Sequence, residues 1–211
     1  LICCMQVNNE TGAIQPLSEI AALRARRAPE AHFHVDGVQG FLRVPFDMPG
    51  VQADSYALSG HKIHGPKGIG ALILAPGVRV HPRALGGGQE SGLRSGTENT
   101  PGIAGLLAAV EAYPLENGMR QVKLHLWQRL REAIPDAAVN GPAPDSDLAA
   151  PHILNVSLPP VRSETMLHAL EGAGIYVGMG SACSSHKQKV SAVLRAMNTP
   201  QRLAESALRF S

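Results

Sequence analysis

Residues Ala53 to Leu74 read "ADSYALSGHKIHGPKGIGALIL". Two apolar runs of strand length, "ADSYALS" and "GIGALIL", flank a turn punctuated by Gly60, Gly65, Pro66 and Gly68. Residues of that kind interrupt regular structure. The turn presents Ser59, His61, Lys62 and His64 directly after a strand. A solvated surface lysine needs no such setting. A lysine that loses its proton and attacks a carbonyl does, because desolvation and nearby cations favour the neutral amine.

Upstream, "AHFHV" (31–35) reads as a strand with Asp36 at its C-terminal end, and "LICCMQV" (1–7) as another. Between them Pro16 opens a helical pattern through Ile20, Leu23 and Arg27. A short helix is expected over Gly37–Leu42. Strands alternating with helices predict an α/β fold around a mostly parallel sheet. Downstream, Gly86–Gly102 is a long Gly/Ser/Thr loop. Helices follow over Ile103–Tyr113 and through Val122, Leu124, Leu126, Leu130 and Ile134. "HILNVSL" (152–158) reads as a strand, and "SETMLHALEGAG" as a helix with Ser163 at its N-cap. "IYVGMGSACSS" (175–185) reads as a strand running into a turn, and helices over Val190–Met197 and Pro200–Ala207 close the chain. A boundary is expected near residue 115. Residues 1–115 would be the C-terminal part of a large α/β domain, and residues 116–211 a smaller α+β domain.

The composition, 44% hydrophobic and 17% charged over 211 residues, is that of a globular chain with a core. A net charge of +2 without a Lys/Arg cluster gives no footprint for nucleic acid. No apolar run approaches the roughly 20 residues of a membrane span. "LICCMQV" has neither a charged leader nor a cleavage site. Three cysteines, two of them adjacent, argue against a disulfide framework, so a reducing, cytoplasmic setting is expected. Leu1 stands in a strand already under way and "ALRFS" ends without a tail, so the chain reads as a piece of a longer protein.

Ligands of open α/β sheets bind beyond the carboxyl ends of the strands. Asn8, Asn9, Asp36 and Ser59–Lys62 all follow strand ends in this reading. Asp36 alone would serve as a cap for a helix at Gly37. An aspartate at one strand end and a lysine at another match pyridoxal phosphate chemistry. The lysine binds the aldehyde, and the carboxylate keeps the ring nitrogen protonated so that the ring absorbs carbanion charge. Cys3 and Cys4 sit in an apolar run and read as core. Cys183 lies in "GMGSACSSHKQK", where His186 and Lys187 favour the thiolate. A zinc half-site from Cys183 and His186 is the competing reading. No second cysteine or histidine pair has metal-ligand spacing, so no metal is expected.

The motifs "VNNETG", "HVDGVQG", "SGHKIHGPKGIGAL", "GGGQESGLRSGTENTP" and "GSACSS", in that order, resemble the motif set of the cysteine desulfurases. These are pyridoxal-phosphate enzymes of the class V aminotransferase group, fold type I. The likeness spans essentially the whole chain. The unbroken "RSGTEN" resembles the branch that supplies iron–sulfur assembly and tRNA thiolation. The resemblance implies that Lys62 holds the cofactor, Asp36 pairs with its ring nitrogen and Gln39 bonds its ring hydroxyl oxygen. It further implies that Asn9 sits near that oxygen and the substrate carboxylate, and that Ser59 and His61 bind phosphate oxygens. Thr97 would reach the phosphate of the other subunit in a homodimer. Arg209 would clamp the substrate carboxylate as a bidentate fork, and Cys183 would take sulfur from L-cysteine, leaving L-alanine, and pass it to an acceptor protein. The family's phosphate-binding loop and ring-stacking histidine would precede Leu1; His32 and His34 do not match that histidine. Two other classes keep part of the pattern. An aminotransferase or lyase for another amino acid would need Lys62 and Asp36 but not Cys183, and a truncated remnant or scaffold subunit would need none of them.

Overall fold

Phe33 and Val35 are fully buried, whereas His34 and Asp36 are only half-buried. That period of two marks a strand with one face on a core. The computed structural model describes residues 1–114, 118–180 and 190–211. In it β2 (Phe33–Asp36) lies between β1 (Ile2–Met5) and β3 (Ser55–Ser59), parallel to both. β4 (Gly70–Leu74) returns antiparallel on β3. The connection from Gly60 to Ile69 is too short for a parallel crossover, which needs roughly a dozen residues or more. Gly70 is a glycine for steric reasons: a Cβ there would lie 2.4 Å from the Leu58 carbonyl oxygen.

The β1–β4 sheet and its helices form one compact unit, Leu1–Gln6 with Pro16–Leu115. α1 (Leu17–Arg27) buries Leu17 and Ala21, four residues apart on one face. They join Phe33, Val35, Val51, Ala53, Tyr56 and Leu58 in the core. Burying Phe33 and Val35 completely contributes about 1.5–3 kcal/mol each. The alternation separates the adjacent cysteines. Cys4 packs against this core, and burial pushes its thiol pKa up; Cys3 points to the other face and is exposed. The expectation that both belong to the core is therefore wrong for Cys3.

The second compact unit is Val7–Gln15 with Glu116–Ser211. Its antiparallel sheet has the order β5 (Ala138–Val139), β6 (Leu154–Ser157), β7 (Ala207–Phe210). Leu154, Val156, Leu158 and Leu208 form its core, covered by Leu126, Trp127 and Leu130 of the helix Met119–Ala133, by its C-cap Ile134, and by Met166 and Leu170 of the helix Ser163–Gly172. Among the described residues the α-helices are, in chain order, α1, α2 (Met48–Val51), α3 (Thr100–Ala112), α4 (Met119–Ala133), α5 (Ser163–Gly172), α6 (Ala192–Ala196) and α7 (Gln201–Ala204).

Several local expectations are corrected. Gly37–Val44 forms successive hydrogen-bonded turns, not a helix, with Leu42 at φ 61°. Arg162, not Ser163, is the N-cap of α5. Residues 175–177 form no strand, and only Gly178 bridges to Arg209. The closing helix stops at Ala204, where the Ser206 hydroxyl turns back to the Arg202 and Leu203 carbonyls. Pairing with β6 then makes Ala207–Phe210 a strand, so tertiary contact overrides the helical pattern. Val7–Gln15 belongs to the second unit, although residues 1–115 were expected to stay together.

Candidate active site

In the first unit the candidates gather at the carboxyl ends of β2 and β3. Asp36 is the last residue of β2 and stands in register with Ala57, two residues before Ser59 ends β3. Its Oδ1 accepts the Val38 N–H at 2.9 Å, which fixes the turn leaving the strand. Gln39 lies half-buried in the same turn. The backbone there is tightly pressed. A Cβ at Gly37 would lie 1.8 Å from the Tyr56 ring, and one at Gly40 would lie 2.1 Å from Gln6 Oε1. Tyr56 donates its hydroxyl to Gln6 Oε1 at 2.8 Å and stacks on Phe46 at 4.5 Å between centroids. Burial, then the Asp36 charge, pushes the Tyr56 hydroxyl pKa up, so it stays protonated.

After β3 the chain makes one 3-10 turn, Gly60–Ile63, anchored by the buried Ile63. His64 then takes left-handed backbone at φ 67°. His61 Nδ1 and Ser59 Oγ are 2.7 Å apart, both at the exposed end. Lys62 is half-buried in the turn, and the guanidinium of Arg43 donates to its backbone carbonyl. Arg43 also donates to the Tyr113 hydroxyl at 3.0 Å. The His64 ring lies near-parallel to the Tyr113 ring, 6.2 Å between centroids. Arg43 has no part in the sequence reading; its contact with Lys62 spans nineteen residues and leaves no local signal. Thr97 is exposed in the loop before α3, whose start is capped by Asn99. His32 and His34 both bond the Ser55 hydroxyl, at 2.7 and 2.8 Å, at the opposite end of β3.

The second unit holds Asn9 and Arg209. Asn8 organises the loop of Asn9: its Oδ1 accepts from Glu10 N–H, Thr11 N–H and the Thr11 hydroxyl at 2.9, 2.9 and 3.1 Å. Arg209 lies in the middle of β7, paired with Asn155 and bridged to Gly178. Its Nη1 donates to the carbonyls of Asn9 and Gly180, both at 3.0 Å. A Cβ at Gly178 would lie 3.2–3.5 Å from the guanidinium, so the glycine leaves room for it. The Nε–H of Arg209 is buried and has no hydrogen-bond partner. An unsatisfied buried donor costs free energy, and an anionic ligand would relieve that cost. Cys183 and His186 lie outside the described residues. Among the described residues no cluster of His, Cys, Asp and Glu is placed to hold a metal ion, and no helix is long and apolar enough to cross a membrane.

Comparison with known proteins places these observations. The family described as "Aminotransferase class-V" matches residues 1–211. The chain is 41% identical to the cysteine desulfurase of Nostoc sp., with all of this chain and 53% of that protein covered. It is 38% identical to the cysteine desulfurase of Homo sapiens, with all of this chain and 46% of that protein covered. Among solved structures, a "NifS-like protein" superposes with a TM-score of 0.84 at 35% identity, over 99% of this chain and 54% of that one. The structure titled "SspA in complex with cysteine" superposes with a TM-score of 0.78 at 31% identity, over all of this chain and 58% of that one. The chain thus spans about half the length of the relatives it matches.

Proposed function

The chain belongs to the aminotransferase class-V family, with the α/β architecture of fold type I, and on that premise we propose that the whole protein is a pyridoxal-phosphate-dependent cysteine desulfurase. It would convert L-cysteine to L-alanine and take the sulfur onto Cys183. The observation that carries this reading is the placement of Asp36 and the Ser59–Lys62 turn at the carboxyl ends of adjacent parallel strands. The donor set fits the cofactor: a carboxylate for a protonated ring nitrogen, the Gln39 amide for a ring hydroxyl, a hydroxyl and an imidazole for phosphate, and a primary amine for an aldehyde. When bound, pyridoxal phosphate supplies that aldehyde and a ring that absorbs carbanion charge.

The residues then divide the work. Arg209 binds the substrate carboxylate through charged N–H donors, and Asn9, whose backbone carbonyl Arg209 holds, is assigned to the same carboxylate. The Lys62 amine takes the Cα proton of L-cysteine. Asp36 keeps the proton on the ring nitrogen. The Cys183 thiolate attacks the substrate sulfur. An S–S bond forms and the Cβ–S bond breaks, its electron pair staying with the carbon skeleton, which is protonated to alanine. Cys183 is left as a persulfide for a sulfur-acceptor protein, an iron–sulfur scaffold or a tRNA-thiolation enzyme. Thr97 is assigned to the phosphate of a second subunit in a homodimer. Thiolate and persulfide chemistry suits the reducing cytoplasm.

Mass spectrometry of the full-length protein after treatment with L-cysteine tests the reading. A sulfur adduct is expected on Cys183. Cys183→Ala is expected to keep the visible absorbance of the bound cofactor and to release no sulfide. An adduct confined to the exposed Cys3, or turnover by Cys183→Ala, overturns the assignment.

A further inference from the structure

Arg43 stands near the end of the turns that leave β2, and its side chain is half-buried. Those turns carry the Val38 bond of Asp36, then Gln39, then Arg43. Gln6 Nε2 pins their far end by donating to the Val44 and Pro45 carbonyls at 3.1 and 3.4 Å. From there Arg43 reaches across to the turn that follows β3. Its Nη2 donates to the Lys62 backbone carbonyl, and its Nε donates to the Tyr113 hydroxyl at 3.0 Å. Tyr113 is buried and is the C-cap of α3, so the second bond has a fixed anchor. The Arg43 Cζ also stands 5.9 Å from the centre of the Tyr113 ring, within cation–π range. Nη1 is buried and has no hydrogen-bond partner among the described residues. A buried donor left unsatisfied costs free energy. An apolar side chain would fill the space without that cost, so packing alone does not account for a guanidinium here; the bonds to Lys62 and Tyr113 do.

We propose that Arg43 is a positioning residue for Lys62: it ties the turn that carries the lysine to the turn that carries Asp36 and Gln39, and so fixes where the amine stands relative to the carboxylate. The proposal rests on the reading of Lys62 as the residue that holds pyridoxal phosphate. On that ring the aldehyde and the nitrogen occupy opposite positions, so a protein that engages both must hold its amine and its carboxylate at one separation. The lysine turn does not set that separation by itself. The His64 and Gly65 amides both donate to the Gly60 carbonyl, which fixes the shape of the turn but not its place beside Asp36. The Arg43 guanidinium supplies the missing link. Its planar fork aims two N–H groups in fixed directions, one at the Tyr113 hydroxyl and the other at the Lys62 carbonyl. Arg43 thus acts through the Lys62 backbone, and small misplacements of a reacting group are costly.

The test uses full-length protein and the variants Arg43→Met, Tyr113→Phe and Lys62→Ala. Hydrogen–deuterium exchange of the cofactor-free protein reads the tie directly. Arg43→Met is expected to speed exchange of the His64 and Gly65 amides by about ten- to a hundredfold, the span of one hydrogen bond from a charged group, with the β3 amides unaltered. Tyr113→Phe keeps the ring and removes only the hydroxyl, and is expected to speed the same amides by about threefold. Two ligands then separate positioning from general support. Pyridoxal phosphate engages the lysine amine; pyridoxine phosphate, with an alcohol in place of the aldehyde, does not. Arg43→Met is expected to bind pyridoxine phosphate within about twofold of wild type and pyridoxal phosphate about tenfold more weakly. In a Lys62→Ala background, Arg43→Met is expected to change neither affinity. Unchanged exchange at His64 and Gly65, equal weakening of both ligands, or a loss of pyridoxal phosphate binding that persists in the Lys62→Ala background each overturns the proposal. Should Arg43→Met not fold, Tyr113→Phe carries the same ligand comparison at about threefold, and equal weakening there overturns the proposal too. Failure of the functional reading is seen separately, as wild type and Lys62→Ala binding pyridoxal phosphate alike.

Discussion

The two ends of the first sheet carry the same residue types and use them differently. At the amino end of β3, Asp54 accepts from Arg24 Nη2 at 2.9 Å and from the Phe33 N–H at 2.6 Å. Arg24 also donates to the Ala31 and Gln52 carbonyls, and His32 and His34 share the Ser55 hydroxyl. Every polar group there ties one element to another. At the carboxyl end Asp36 bonds only its own turn through Val38, and Ser59 bonds His61 two residues on. Groups bonded across elements hold the fold; groups bonded locally keep their geometry while remaining open to a ligand. An aspartate, a serine and a histidine thus tie the fold together at one end of the sheet, and at the other, under the proposed function, they serve the cofactor.

Lys62→Ala in the full-length protein separates the two ends most sharply. It is expected to abolish turnover and the absorbance of covalently held cofactor, with thermal stability near wild type. A borohydride-reducible lysine adduct surviving in that variant would move the cofactor to another lysine. Asp36→Asn comes next, with a rate loss of about ten- to a hundredfold at nearly full cofactor content, from one charged hydrogen bond of about 1.5–3 kcal/mol. Wild-type turnover would reduce Asp36 to a turn former.

Arg24→Ala probes the other end and should do the reverse. The Arg24 and Asp54 side chains are 16% and 22% exposed, so a loss of about 1–3 kcal/mol in unfolding free energy is expected, with kcat and KM unaltered. Denaturant titration alongside steady-state kinetics checks it, and a change in kcat would erase the distinction between the ends. The smallest effect concerns Lys123, which donates to the Ala150 carbonyl at 2.7 Å. Burial, then Arg120, lowers its pKa to about 8 from 10.5. Between these values the unfolded chain binds more protons than the folded one, so stability rises with pH across that window. The slope is at most about 1.4 kcal/mol per pH unit. Lys123→Met should flatten the stability–pH curve between pH 8 and 10.5, and an unchanged curve removes Lys123 from the account.

Both strand ends of the first unit were legible because a strand, a glycine turn and a chemical residue follow one another within a dozen positions. The Asp36 and Lys62 placements needed only that order and the rule for sheet edges. Arg209 was legible as a residue but not as a strand residue: "ALRF" is four residues long, and its pairing with β6 depends on positions fifty or more residues away. Lys123 carries a signal in the helical pattern. It stands three and four residues before Leu126 and Trp127, which line the core face of α4, so helical periodicity places it inward. Val122, counted in the apolar pattern, is 69% exposed.

The excursion of Val7–Gln15 into the second unit limits how this gene can be shuffled. Ala150 N–H donates to the Gly12 carbonyl, Ile14 N–H to the Leu148 carbonyl, and Asn155 to Glu10. A recombination breakpoint at the 115/116 junction, the natural cut by eye, would join the second unit of one parent to a nine-residue strap inherited from the other. Hybrids between divergent parents should therefore tolerate that crossover only when residues 7–15 travel with the C-terminal half, so the heritable module is discontinuous although the gene is linear.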